Sequence, residues 1–319
     1  MKWKKLGRIF DPTKHKLANN CLEFAQSPQF LEFEDFIRIY FSSREKDLSG
    51  KYISHINFVE MDKNFKEIKK VSNHVILPVG ILGSYDEHGV FPMNILRDDK
   101  RILGFIGGWN RRISVDIETS IGLAVSNDDG LTFKRIGNGP ILTATLDEPF
   151  LVGDPFVLKI NDKYHMWYIF GTKWIKNAIN KGAMERVYKI GHAISYDAVN
   201  WIKQNKQIIQ DKLSELECQA LPSVIFHNNK YHMVFCYRQA IGFREDKDAA
   251  YRIGYAYSFD GLNWQRDDNN VGIYTTPGDW DSDMLCYPHL FYCNSKVYLL
   301  YNGNQFGRYG FGVAELLEE

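Results

Sequence analysis

The 319-residue sequence has few cysteines, no excess of charge and no long apolar segment. Its five cysteines include no CxxC pair, so neither a disulfide scaffold nor a zinc cluster is predicted. Lysine plus arginine equals aspartate plus glutamate at 39 each, and no basic tract is present, which argues against nucleic acid or an anionic membrane surface as a partner. The basic start is not followed by an apolar signal region, and no window approaches the roughly 18 apolar residues that span a bilayer. We therefore expect no membrane association and a cytoplasmic location.

Cofactor signals are also lacking. The sequence contains no GxGxxG motif after a predicted strand and no GxxxxGK[ST] motif. Nothing in it resembles a calcium-binding loop. We therefore predict no cofactor and no metal site.

What the sequence does contain is a proline repeat. Pro28, Pro92, Pro155, Pro222 and Pro288 are separated by 64, 63, 67 and 66 positions, and they are half of the ten prolines. Each is followed by a short apolar run, a polar turn and a second run rich in aromatic residues. This pattern predicts a β-hairpin whose first strand begins at the proline.

A third element recurs downstream of four of these hairpins, at 121–124, 190–193, 253–256 and 311–314, each time with glycine at its second position. Each unit then supplies about four strands, which is the content of one propeller blade. The sequence predicts an all-β fold, a five-bladed β-propeller, as one domain over residues 1–319 with the N-terminal segment closing the ring. The predicted blades span 22–70, 84–137, 150–205, 216–268 and 280–316. Residues 174–185 are expected to form a short helix or an excursion between strands of blade 3.

The side chains just before the five prolines should meet at one mouth of the propeller axis, because the innermost strands run along it. The polar candidates are, blade by blade, Gln26 and Ser27; Asp86, Glu87 and His88; Asp154; Glu217 and Gln219; and Asp281, Asp283 and His289. Four of the five blades contribute a carboxylate, and like charges gathered at one place have little structural purpose. Each residue taken alone can also be explained as a turn or surface residue.

Two carboxyl groups across a pocket suit cleavage of a glycosidic bond. One, kept protonated, donates to the leaving oxygen, and the other attacks the anomeric carbon or activates water. Aromatic side chains in or near the predicted axial loops could stack on the sugar rings: Trp109, Trp174, Trp280 and Tyr287.

At these residues the chain resembles the five-bladed propeller glycoside hydrolases, the group of families 32, 43, 68, 117 and 130. Gly153-Asp154-Pro155 is similar to the Arg-Asp-Pro element of family 32, which implies that Asp154 holds sugar hydroxyls and stabilises the transition state. Glu217-Cys218 is similar to the Glu-Cys element of that family, which implies that Glu217 is the acid/base.

The segment at 85–92 resembles blade-2 openings that often carry a functional aspartate, so Asp86 or Glu87 is expected as the base. Blade 1 departs from the family pattern, since Gln26-Ser27-Pro28 stands where these hydrolases usually have an aspartate.

The predicted function is a glycoside hydrolase-like enzyme acting on a carbohydrate, with Glu217, Asp154, Asp86 and Glu87 as catalytic candidates. The predicted substrate-binding residues are Gln26, His88, Trp109, Arg238, Asp283 and His289. Two alternatives stay open. In family 130 phosphorylases phosphate is the nucleophile, so one acid plus basic groups suffices; in this sequence Arg111, Arg112, Arg238, Arg244 and His289 could bind it. The other alternative is a carbohydrate-binding propeller without catalysis.

Overall fold

The computed structural model describes residues 1–177 and 184–318 and confirms the five-bladed β-propeller. Its five sheets each contain four antiparallel strands. The first strand of each blade contacts the first strand of the next, and that of blade 5 returns to contact blade 1. The inner strands therefore ring a common axis.

The first four blades are each built from four consecutive strands, in order from the axis outward. Blade 1 consists of β2 (Glu23–Glu32), β3 (Ile37–Lys46), β4 (Tyr52–Met61) and β5 (Ile68–Val71). Blade 2 consists of β6 (Val90–Asp98), β7 (Arg101–Arg111), β8 (Ile117–Ser126) and β9 (Lys134–Arg135). Blade 3 consists of β10 (Val152–Ile160), β11 (Lys163–Lys176), β12 (Met184–Ser195) and β13 (Trp201–Lys203). Blade 4 consists of β14 (Glu217–His227), β15 (Lys230–Gln239), β16 (Arg252–Ser258) and β17 (Gln265–Arg266).

Blade 5 combines the two ends of the chain. Its strands are β18 (Cys286–Cys293), β19 (Lys296–Asn302), β20 (Phe311–Glu318) and, outermost, β1 (Lys2–Phe10). Strand β1 pairs antiparallel with β20. The N-terminal strand thus completes the last sheet.

Helical structure is confined to three single turns among the described residues: Pro12–Lys14, Asp268–Asn270 and α1 (Asn304–Gly307). The described ends of the 174–185 segment are strand rather than helix, because β11 continues to Lys176 and β12 begins at Met184. Residues 178–183 lie outside the described residues. No described helix has the length and apolar character needed to cross a lipid bilayer.

The apolar core is divided among the contacts between blades. Five clusters of buried side chains each lie mainly between two neighbouring blades. Between blades 1 and 2, for example, Tyr40 and Phe58 pack in one cluster with Ile106. The blades are therefore held side by side by burial of apolar surface, which leaves the axis free for a site.

Candidate active site at the propeller axis

Each inner strand has a β-bulge at its proline. The pairing of first and second strands shifts register between Gln26 and Gln29, Val90 and Met93, Gly153 and Phe156, Ala220 and Ser223, and Cys286 and His289. A bulge interrupts the ladder and re-aims a side chain. The residue directly before the proline is therefore set apart from its neighbours in all five blades.

These five residues, which we call the axial residues, are Ser27, Phe91, Asp154, Leu221 and Tyr287. Four of them have φ between 48° and 56°, in the left-handed region that non-glycine residues seldom occupy. In blade 2 the Phe91–Pro92 peptide bond is cis instead. Such a backbone conformation recurs at the same point of four blades, which indicates that the surrounding structure holds these residues in it.

An axial cavity of about 310 Å³ opens at this mouth, and Phe91, Asp154 and Tyr287 contribute to its wall. Two of the predicted sugar platforms, Trp109 and Tyr287, therefore lie at the cavity. The remaining polar lining is mainly cationic and aromatic, with Arg44, Arg186, Arg244, Tyr52, Tyr188 and Tyr251. Besides Asp154, the carboxylate in the described lining is Asp116, which is exposed.

Asp154 is a buried acid in this cavity, with 8% of the residue exposed. Its Oδ2 accepts a hydrogen bond of 3.3 Å from the backbone N–H of Leu221 in the next blade. Burial raises the pKa of Asp154 to about 7, although the Leu221 N–H and the charge of Arg186 act in the opposite direction. Near neutral pH this carboxyl group therefore exists in both protonation states.

Glu217 has the opposite surroundings. It is fully buried, and its Oε1 pairs with Arg266 at 2.6 Å and accepts from Gln219 Nε2 at 3.0 Å. Its Oε2 accepts from the backbone N–H groups of Lys212 and Leu213, both at 2.9 Å. Both oxygens are occupied by protein donors, and Glu217 lies outside the described lining of the axial cavity.

Asp86 is held in the same way. It is fully buried, and its Oδ2 accepts from Arg135 Nε at 2.6 Å while its Oδ1 accepts from Ser84 at 3.0 Å. Glu87 is half-buried, and its Oε2 accepts from the backbone N–H of Gly83 at 3.0 Å. Neither carboxylate belongs to the described lining of the axial cavity.

The buried carboxylates form a repeat of their own. In blades 3 and 5, Glu148 pairs with Lys203 and Asp281 pairs with Lys5, both at 2.5 Å. In each of blades 2 to 5 the cation comes from the outermost strand and the carboxylate from the segment just before the inner strand or from its first residue. These ion pairs connect the two edges of a blade, which gives the carboxylates a structural role that the sequence pattern did not reveal.

The predicted substrate-binding residues are dispersed. Gln26, Trp109 and Arg238 lie at the axial cavity or at a pocket that adjoins it. The His88 ring packs at a tilt of 32° to the Trp109 ring, with 5.7 Å between ring centroids, and burial lowers the pKa of His88. Asp283 is exposed and lies outside the described lining of both cavities.

His289 faces a different cavity, of about 560 Å³, near the far ends of the inner strands. Burial lowers the pKa of His289 to about 3, so the ring is neutral at physiological pH. A neutral imidazole at that position cannot supply the positive charge that phosphate binding at the axial mouth would need.

The pocket that adjoins the axial cavity has a volume of about 390 Å³ and shares six lining residues with it. We call it the arginine pocket, because five guanidinium groups line it: Arg44, Arg186, Arg238, Arg244 and Arg308. The predicted anion-binding residues Arg238 and Arg244 are among them. Arg111 and Arg112 instead line a neighbouring groove with Trp174.

Three arginines of this pocket were missed by the sequence reasoning. Arg44 and Arg186 lie on the second and third strands of their blades, and Arg308 follows α1. A hairpin reverses direction, so the last residues of a second strand and the first residues of a third strand return to the mouth where the inner strand begins. Counting residues along each hairpin from the turn back to this mouth would have placed Arg44 and Arg186 there.

Comparison with solved structures defines the class to which this fold belongs. The chain superimposes on a glycoside hydrolase with a TM-score of 0.75 at 14% identity, covering 99% of this chain and 92% of the other. A thermostable family-43 glycoside hydrolase gives 0.66 at 15%, covering 95% and 94%. A family-32 β-fructofuranosidase from Bombyx mori gives 0.65 at 14%, covering 96% and 64%. The fold is that of the five-bladed propeller glycoside hydrolases, as the sequence resemblance predicts.

Comparison of sequences gives closer relatives. The uncharacterized proteins MT1551 and Rv1502 of two Mycobacterium tuberculosis strains are each 33% identical to this chain over 317 residues, covering 99% of both chains. The chain belongs to the same family as these two mycobacterial proteins. No protein-family model matches it.

Proposed function

We propose that this protein cleaves a glycosidic bond in the axial cavity, with Asp154 as the proton donor. The observation that carries the proposal is that Asp154 is the one carboxylate among the five axial residues and is buried there with its pKa raised to about 7. An acid with a pKa near the working pH can hold a proton and still give it up in the transition state. The shared fold of the propeller glycoside hydrolases supports the same class of reaction.

This proposal transfers the role of acid from Glu217 to Asp154. Glu217 has no lone pair left for a substrate, since its two oxygens accept from Arg266, Gln219 and two backbone N–H groups. From the described residues, Asp154 accepts one hydrogen bond, of 3.3 Å. A proton donor must be able to reach the leaving oxygen, and Asp154 lines the cavity where that oxygen would lie.

The other groups of the cavity have parts in the same scheme. Asp116 is the second carboxylate of the described lining and is the proposed base that activates water. Trp109 and Tyr52 offer flat apolar surfaces to a sugar ring. The substrate is thus a carbohydrate held between aromatic faces, with its scissile oxygen toward Asp154.

Phosphorolysis is a second candidate, favoured by the arginines of the axial cavity. Among the described residues, neither Arg44 nor Arg186 forms an ion pair with a carboxylate, although both line the cavity that holds Asp154. Guanidinium groups bind phosphate through paired hydrogen bonds. With phosphate as the attacking group, Asp154 alone would suffice as protein acid, and turnover would require added phosphate.

The dependence of Asp154→Asn activity on the leaving group tests the proposal. On a panel of glycosides assayed with and without inorganic phosphate, the variant should lose roughly 10²–10⁴-fold in kcat/KM on alkyl glycosides, which need a proton on the leaving oxygen. It should lose far less on dinitrophenyl glycosides, whose leaving groups depart without one. Asparagine keeps the size of the side chain and tolerates the left-handed backbone.

Asp129→Asn, at an exposed position outside the described lining of the cavity and with φ of 56°, is the matched control and should retain full activity. An equal loss on alkyl and dinitrophenyl glycosides in Asp154→Asn would show that Asp154 is not the proton donor.

A further inference from the structure

The arginine pocket contains more positive charge than its surroundings neutralise. Arg308 pairs with Glu23 and Arg244 pairs with Glu185, both at 2.7 Å. Among the described residues, no carboxylate pairs with the other three. Arg44 donates from Nε to Gln26 Oε1 at 2.9 Å, and Arg238 donates to Tyr188 Oη at 3.0 Å and to backbone carbonyls. The lining described for the pocket itself includes no acidic residue.

Burial of guanidinium groups away from carboxylates is energetically unfavourable. Arg238 is 3% exposed, and its Nε is buried without a hydrogen-bond partner among the described residues. Burial lowers the pKa of Arg44, and the charge of Arg186 adds to this shift, whereas Tyr287, Tyr52 and Glu23 act in the opposite direction. Aromatic rings face the Arg238 guanidinium, with Phe243 at 3.5 Å, but no acidic residue lines the described pocket. Buried charges in proteins are ordinarily paired, so this group of guanidiniums without carboxylate partners is suited to an anion.

The pocket lies beside the reacting position rather than at it. Asp154 lines the axial cavity and is outside the described lining of the arginine pocket, whereas Gln26, Arg238 and Arg308 line only the pocket. Arg44 and Arg186 line both. An anion that attacked the anomeric carbon would have to share the cavity with Asp154, but a substituent of the sugar could extend from that cavity into the pocket.

We propose that the substrate is a phosphorylated sugar, whose phosphoryl group binds in the arginine pocket while its glycosidic oxygen faces Asp154. A phosphate monoester carries close to two negative charges and three acceptor oxygens, which matches three guanidiniums without a carboxylate partner better than a single carboxylate does. The placement of the glycosidic oxygen at Asp154 rests on the proposed function. The binding of the phosphoryl group rests on the residues of the arginine pocket alone.

Calorimetric titration of the full chain tests the inference. The probes are glucose 6-phosphate and mannose 6-phosphate, with glucose, mannose, glucuronate and inorganic phosphate for comparison. At least one hexose phosphate should bind tenfold or more tightly than its parent hexose, than glucuronate and than inorganic phosphate. Arg44→Gln and Arg186→Gln should each weaken that binding at least tenfold. Arg97→Gln, an exposed arginine outside both cavities, should leave it within twofold.

The inference is overturned if neither hexose phosphate binds more tightly than its parent hexose. It is also overturned if inorganic phosphate binds as tightly as the two hexose phosphates, which would favour phosphorolysis. Glucuronate that binds as tightly as the two hexose phosphates would overturn it too, because the pocket would then be a carboxylate site. Asp154→Asn separates it from the proposed function. If Asp154→Asn loses proton donation but the wild type binds no hexose phosphate, the proposed function stands and the inference about the pocket fails. If the wild type binds a hexose phosphate but Asp154→Asn keeps proton donation, the inference about phosphoryl binding stands and the proposed function fails.

Discussion

Asp154 and Glu217 are both buried carboxylates near an inner-strand proline, yet their surroundings differ in kind. Glu217 and Asp86 lie five and six residues before their prolines and are paired with arginines of the outermost strand. Asp154 lies directly before its proline, where the bulge sets the side chain toward the axis. At the scale of single residues, the separation from the proline distinguishes a structural carboxylate from a candidate catalytic one.

The raised pKa of Asp154 has a consequence for stability. Because its pKa of about 7 in the folded protein exceeds the ordinary value of 3.8, the folded state binds the proton more tightly, and the free energy of unfolding falls as pH rises from about 4 to about 7. Asp154→Asn removes this penalty and should be more stable than the wild type at pH 8 by on the order of 4 kcal/mol, with no difference near pH 4. Urea unfolding at the two pH values measures it; a difference that does not change with pH would contradict the assignment.

Glu217→Gln should have the opposite effect on stability. The substitution leaves Arg266 buried with Asp268 as its remaining partner, at 2.9 Å. Breaking a buried ion pair from one side costs about 3–5 kcal/mol, and the retained Asp268 places the expected loss at the lower end. Denaturant unfolding at pH 7 measures it, with the exposed Glu215→Gln as the control, expected within about 0.5 kcal/mol. A Glu217→Gln protein as stable as the wild type would remove the structural explanation for this carboxylate.

At the scale of secondary-structure elements, the inner hairpins could be predicted from the sequence because each contains the same local signals. The inner strands begin two to five residues before their prolines and not at them, so the proline locates each strand but not its first residue. The turns at Asn161-Asp162 and Asn294-Ser295 have two successive residues with positive φ, as two-residue hairpin turns require. The bulges were not readable. The residue before a proline ordinarily favours extended backbone, and the left-handed conformation of Leu221 or Tyr287 is imposed by contacts in the assembled propeller.

That difference explains which part of the site was predicted. The repeat located the mouth of the axis and included Asp154, Gln26 and Trp109. Because the sequence does not show the bulge, every carboxylate within a few residues of a proline was an equal candidate for the axis. Asp86 and Glu217, which form ion pairs within their blades, were therefore predicted as site residues. Whether an arginine has a carboxylate partner depends on which acids lie next to it in the folded protein, and a single sequence does not specify these neighbours.

The turn at Asn161-Asp162 provides a test at this scale. Asp162 is exposed and has φ of 61°, a conformation that glycine adopts without steric cost. Asp162→Gly creates the Asn-Gly pair preferred in such turns and should raise the free energy of unfolding by roughly 0.5–1 kcal/mol. Asp162→Val, which disfavours this backbone, should lower it. Thermal unfolding compares the pair, and equal stability of the two variants would contradict the assigned turn.

At the scale of the whole molecule, we expect the propeller to depend on its first ten residues. Strand β1 covers the outer edge of β20, and its Lys5 neutralises Asp281, whose side chain is 1% exposed. Removing β1 would expose a strand edge and leave a buried charge unpaired. The blades share five interfaces, so damage to one blade should affect the unfolding of all.

Deletion of residues 1–10 is therefore expected to abolish the cooperative unfolding transition and to produce aggregates. Scanning calorimetry with size-exclusion chromatography would show both. Lys2→Ala, which breaks only an exposed ion pair with Glu318, is the control and should unfold like the wild type. A truncated chain that melts cooperatively at the wild-type temperature would show that β1 is dispensable for ring closure.

Asp154, and not Glu217, is the proposed proton donor of this propeller. The most direct measurement is kcat per folded molecule of Asp154→Asn and Glu217→Gln on the same alkyl glycoside, with the folded fraction of each determined independently. We predict a loss of roughly 10²–10⁴-fold for Asp154→Asn and a value close to wild type for Glu217→Gln. Full activity in Asp154→Asn together with a large loss in Glu217→Gln would contradict the account.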